Sequence, residues 1–134
     1  MKKSAESVSI PTIAVQKAVY QRLSQSLSVP VYDDVPADAT YPYVTLDRVD
    51  VHANDYVNHQ RDERFIYLNV WSNYRGQKEV LDILSAIHNA MHDARLSLEA
   101  GALISCRVIR QNTHRDSDGV TYQGSLTLRI QTAH

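Results

Sequence analysis

The sequence predicts a single-domain α+β fold: a largely antiparallel four-stranded sheet with two amphipathic helices packed on one face. Three observations carry that expectation. Two windows place apolar residues at three- and four-residue steps, four longer stretches suit extended chain, and turn residues join those stretches in pairs. The chain has 134 residues, 43% hydrophobic and 22% charged. That is long enough to bury one core, with ordinary globular usage.

Residues 1–10 are polar and aperiodic and read as a flexible N-terminal tail, ahead of one domain spanning 11–134. Pro11 and Thr12 open the first helix, with Thr12 as its N-cap. Val15, Val19, Leu23 and Leu27 recur at four-residue steps with Ala18 beside them. Lys17, Gln21, Arg22 and Gln25 cover the other side. Pro30 ends the helix. A short extended segment over 29–36 then turns around Pro36 to Asp38. Tyr43 to Val51 reads as a strand, with Val44 and Leu46 on one face and Thr45 and Asp47 on the other.

The polar stretch from His52 to Glu63 is long for a hairpin turn. Arg64 to Ser72 is the best strand of the chain. There Ile66, Leu68 and Val70 alternate with Phe65, Tyr67, Asn69 and Trp71, so both faces can be covered. Such a strand is central, or its second face meets a partner. Asn73 caps a second helix from about Arg75 to His92, whose stripe is Val80, Leu84, Ile87 and Met91, flanked by Leu81 and His88. Leu103 to Arg110 and Val120 to Thr132 complete the sheet. The loop between them, Gln111 to Gly119, ends in Asp118-Gly119, a hairpin signal. Tyr122, Leu126, Leu128 and Ile130 alternate with Gln123, Ser125, Thr127 and Arg129, which predicts one buried and one wet face.

Composition narrows the function classes. Fourteen basic residues are scattered among 15 acidic ones for a net charge of −1, so no global field draws the chain to nucleic acid or anionic lipid. The single cysteine, Cys106, lies in an apolar run and reads as a buried thiol. No apolar stretch approaches the roughly 18–20 residues that span a bilayer. After Met1, Lys2 and Lys3, the polar run Ser4 to Ser9 stands where a signal peptide would need its apolar core. A chain that stays in the cytoplasm is expected.

No catalytic constellation stands out. His88 and His92 are four apart, a metal-ligand spacing, and with His52, His59 or His114 nearby they would suit a small metal-dependent hydrolase. The glutamate that a zinc hydrolase helix uses as its base is missing. The favoured reading has His88 bordering the core and His92 at the helix C-terminus. Asp116, Asp118 and Gly119 begin a calcium-loop pattern that stops after two carboxylates, so a hairpin turn is favoured. Ser85, Ser105 and Cys106 sit in no nucleophile elbow, and with four glycines in all there is no phosphate-cradling loop. Tyr56, Phe65, Tyr67, Trp71 and Tyr122 would make a base-stacking platform only with interleaved cations. Arg64 and Arg129 are thin support, and use in the core or a subunit contact is expected instead. The expectation is no catalytic residue, no cofactor and no metal.

From Ile13 to Thr132 the chain resembles the tail-completion (tail-terminator) proteins of long-tailed bacteriophages. Leu27 with Val31 and Tyr32 matches the end of their opening helix. Pro36 and the run Tyr41, Pro42, Tyr43, Val44 match the following stretch, and Val70, Trp71, Ser72 and the helix after Arg75 match the next strand and helix. Two departures are the longer segment before Ile10 and the charge between Asp55 and Arg64. The resemblance implies a non-enzymatic structural protein of the virion, assembled in the host cytoplasm. It implies a homo-oligomeric ring, commonly a hexamer, on the head-proximal end of the tail tube. That ring would end tube polymerisation and present the joint to the head connector or neck protein. Its partners would be its own copies, the tube protein and the connector, with no membrane and with DNA only as passing cargo. Another neck or head-completion ring protein is the alternative. Two polar loops are the expected contacts with adjacent rings. His52, Asn54, Asp55, Tyr56, Asn58, His59, Arg61 and Asp62 form the first; Thr113, His114, Arg115, Asp116 and Asp118 form the second.

Overall fold

The computed structural model describes residues 2–53, 61–98 and 101–133. The elements in chain order are α1 (Lys2–Ser26), β1 (Val31–Tyr32), β2 (Tyr43–Ala53), β3 (Arg61–Ser72), α2 (Lys78–Met91), β4 (Ala102–Arg115) and β5 (Tyr122–Ala133). The strands form one sheet in the order β1-β2-β3-β5-β4. All neighbours are antiparallel except β1, which lies parallel to β2 through Val31 and Tyr32. The α+β class holds; the expected four-stranded sheet becomes a five-stranded mixed one, because the short extended segment after α1 pairs as a strand of its own.

β3 is central, as its two-sided apolarity implies. Val44, Leu46, Ile66, Leu68, Val70, Leu126, Leu128 and Ile130 fill one sheet face, and both helices supply that same core, α1 through Val15, Val19 and Leu23, α2 through Val80, Leu84, Ile87 and Met91. Each such side chain contributes about 1.5–3 kcal/mol by leaving water. A register shift between Leu46 and Arg48 changes the phase of β2. Val49 therefore returns to the core after Leu46, while Arg48, Asp50 and His52 pair with Tyr67, Phe65 and Glu63 on the other face.

Several boundaries move for physical reasons. α1 starts at Lys2, not at Pro11 and Thr12: the proline withdraws one backbone donor without ending the helix, and no glycine precedes it. Thr12 is therefore no N-cap. Its hydroxyl accepts a hydrogen bond at 3.0 Å from Nε of Arg64, a fully buried side chain. Nη1 of Arg64 donates to the buried Thr132 hydroxyl and Nη2 to Asp62 at 3.2 Å. Burial lowers the pKa of this guanidinium and the Asp62 charge works against that, so α1, β3 and β5 are tied together by one buried cation. α2 begins at Lys78, and Asn73 does not cap it. Ser72 instead ties the entry, accepting from Tyr74 N–H at 3.1 Å and donating to Glu79. Leu81 faces solvent and does not flank the core.

Candidate interaction surfaces

With the helices on one face, the other sheet face stays uncovered, and cross-strand pairs organise it. Phe65, Tyr67 and Trp71 run down β3 as half-buried rings. His52 meets Phe65 edge-on at 5.5 Å, and the Arg48 guanidinium sits 4.2 Å from the Tyr67 ring centre. Trp71 donates through Nε1 to the Thr45 hydroxyl at 3.1 Å. Asn69 Oδ1 accepts from Gln123 at 3.1 Å and Ser125 at 2.9 Å, and Glu63 accepts from Arg129 Nε at 2.6 Å. The face is thus a closed polar lattice with rings set into it. Phe65, Tyr67 and Trp71 share this face; Tyr122 turns to the buried side and Tyr56 lies outside the described residues.

The residues expected in two contact loops are distributed differently. His52 belongs to β2, and Arg61 and Asp62 to β3, because pairing continues beyond the expected strand ends. Asn54, Asp55, Tyr56, Asn58 and His59 lie outside the described residues. Thr113, His114 and Arg115 are not loop residues: β4 runs to Arg115 and pairs with β5 throughout. Thr113 donates to Gln77 at 2.9 Å and Arg115 to the Tyr122 hydroxyl. Only Asp116 to Thr121 make the turn, closed by Asp116 N–H to the Thr121 carbonyl at 2.7 Å. Asp118 accepts from the N–H groups of Val120 and Thr121, both at 2.8 Å, and from the Thr121 hydroxyl. Those bonds, Thr121's first, hold its carboxyl below the usual carboxylate range. Gly119 takes a φ of +74°, which favours glycine.

The register places the two hairpins far apart. Arg61 pairs with Ala133 at one end of β3 and Ser72 with Tyr122 at the other. At roughly 3.3 Å per residue, the β2–β3 connection and the β4–β5 turn stand on the order of 36 Å apart, at opposite ends of the sheet.

The lateral edges differ in charge. From Val31 to Asp50 there are five aspartates and one arginine; from Ala102 to Arg115 there are three arginines and no carboxylate. At the β1–β2 side, Asp33, Asp34 and Asp47 rim a cleft of about 510 Å³ with Tyr41, Tyr43 and Trp71. Tyr41 and Tyr43 stack there at 5.4 Å. This contrast was readable as a charge asymmetry between chain segments, which the near-zero total concealed.

The histidine pair stands without a third ligand-type side chain among the described residues. His88 and His92 stack at 4.7 Å, and His92 Nδ1 accepts the Val108 N–H at 3.0 Å, so one ligand atom is already committed. His52 and His114 lie on other strands, and among the described residues no group of three or more His, Cys, Asp or Glu side chains gathers to hold a metal. The Cys106 thiol is buried, and desolvation pushes its pKa up to about 11, with Arg22 opposing. Burial and that shift favour the protonated thiol near neutral pH. Among the described residues no helix is long and apolar enough to cross a membrane.

Residues 17–133 match the model of the family described as Tail completion protein gp17. A chain of the solved virion of a native gene transfer agent particle superposes with a TM-score of 0.83 at 23% identity, over 92% of this chain and 98% of that one. At that identity the likeness shows a shared fold. No curated protein matches.

Proposed function

The chain belongs to the Tail completion protein gp17 family and is a structural component of a phage-type virion tail; from that premise we propose that its copies close into a ring capping the head-proximal end of the tail tube. The ring ends tube polymerisation and forms the joint to the head connector. The family match over nearly the whole domain carries this reading. The placement of the hairpins supports it, since a ring subunit that touches a tube on one side and a connector on the other needs contact elements at opposite ends. In this arrangement His52, Arg61 and Asp62 stand beside one contact, with Asn54, Asp55, Tyr56, Asn58 and His59 between the strands. Asp116 and Asp118 supply the other, backed by Thr113, His114 and Arg115. No catalytic step is assigned.

Replacing 54–61 by Asn-Gly between Ala53 and Asp62, which pair across the hairpin, tests the reading. Two-residue turns of this type suit the hairpin. The expected result is a folded chain that still assembles, with heads and tails accumulating unjoined or tails of uncontrolled length in electron micrographs. Normal yields of joined virions from this variant would overturn the assignment of that end. Normal virions from a producer lacking the chain altogether would overturn the cap.

A further inference from the structure

The two lateral edges of the sheet are complementary, and we infer that the β1–β2 edge of one copy receives the β4 edge of the next. This rests on the ring proposed above and names the surfaces that close it. Each edge exposes two large apolar side chains, Val35 (39%) and Tyr41 (40%) on one, Ile104 (42%) and Ile109 (48%) on the other. Exposed apolar groups along a sheet margin mark an interaction surface. Around them the charge is opposite in sign. Asp33, Asp34 and Asp47 flank the first pair, and Arg107 and Arg110 the second.

Arg110 is the arginine that enters the cleft. It stands at the register shift after Val108, which turns its side chain onto the uncovered face opposite Thr127. Arg107 is already 3.4 Å from Asp93, and Arg115 is held by Tyr122. Arg110 has no carboxylate at ion-pair distance among the described residues. Three carboxylates beside stacked tyrosines and an indole suit a planar guanidinium, which pairs with the acids and lies against the rings. The occupant is a second copy because the chain itself carries the matching surface on its far side. Such a contact is heterologous, so repetition turns copies about an axis in one direction. It runs through side chains and not through a continuous sheet: Asp93 N–H already occupies the outward carbonyl of Cys106 at 2.8 Å, and His92 occupies the N–H of Val108.

Charge reversal in trans tests this with the full chain. D33R/D34R reverses the charge at the cleft rim, and R107E/R110E reverses it on β4; all four positions are exposed. In sedimentation velocity the parent is expected to associate at low salt and dissociate as salt rises. Each variant, shown folded by circular dichroism, is expected to bind itself roughly 100-fold more weakly. Their equimolar mixture restores assembly, because the reversed edge of each variant then meets the reversed edge of the other, and the two unreversed edges meet as in the parent. A mixture that stays monomeric overturns the inference. Variants that associate as the parent does overturn the edge contact and leave the ring standing. A parent that stays monomeric at low salt overturns the contact together with a self-closing ring, and leaves the tail assignment intact.

Discussion

Gly124 gives the sharpest quantitative test of the packing between α2 and the sheet. It lies in β5 between Val70 of β3 and Thr113 of β4. A Cβ there would stand 2.6 Å from Val80 Cγ1, 3.1 Å from Leu84 Cδ1 and 3.2 Å from Leu84 Cγ. Val80 is fully buried and β-branched, so on a helix it has one strongly preferred rotamer and little room to yield. Overpacking of this kind costs about 1–3 kcal/mol. Alanine also narrows the unfolded ensemble, which returns about 0.4–1 kcal/mol. Gly124→Ala should therefore destabilise by about 1–2 kcal/mol, a fall of about 1 M in the urea midpoint at an m-value of about 1.5 kcal/mol/M. Trp71 fluorescence and circular dichroism read the transition. The second arm is Val80→Ala, which alone should lose about 2 kcal/mol. In the double variant the new methyl enters the space the old ones left, so the losses should fall short of their sum by about 1 kcal/mol or more. An unchanged midpoint for Gly124→Ala, or strict additivity in the double variant, would refute the proposed close approach.

Two further outcomes follow from buried groups. Thr132→Val removes the hydroxyl that receives Arg64 Nη1 inside the core and should cost about 1–3 kcal/mol, since the guanidinium is left unsatisfied. Arg64→Met should be milder; a fully stable Thr132→Val would show that this bond is dispensable. The Cys106 thiol is raised from 9.0 to about 11 by burial, so its neutral form stabilises the fold below pH 9, and that contribution is lost as pH rises through 11. Denaturant midpoints of the parent should therefore fall further between those pH values than those of Cys106→Ala. Parallel losses in the two proteins would remove the thiol from the account.

The elements were legible in the sequence wherever one periodicity ran unbroken. Val15, Val19 and Leu23, or Val80, Leu84 and Ile87, mark helices because burial on one side imposes their spacing. The alternation of Ile66, Leu68 and Val70 with a second apolar set suits the central place that β3 takes, though it would equally suit a face that meets a partner. Edges were harder. Gln111 to Arg115 look like loop because an edge strand with no helix over its end keeps polar side chains, yet its backbone pairs with β5 all the same. Thr12 looked like a cap because its partner, Arg64, is distant in sequence and only tertiary packing brings the two together. The acidic cleft was invisible for a similar reason. Asp33 and Asp34 follow β1 while Asp47 and Trp71 come from β2 and β3, and parallel pairing of β1 gathers them.

The partial covering of β4 bears on how such a chain survives before it is used. A long open strand is a template on which further strands add without limit, and a protein synthesised in many copies meets that hazard as soon as it folds. Here the helix end at His92 and Asp93 plugs the middle of the strand, and irregularities at Leu103/Ser105 and Val108/Arg110 break the straight run on either side. Backbone-templated fibres are thereby disfavoured, while side chains remain free to meet a chosen neighbour. In the proposed ring, a pool of subunits can accumulate without tangling before it is spent on an object of fixed count.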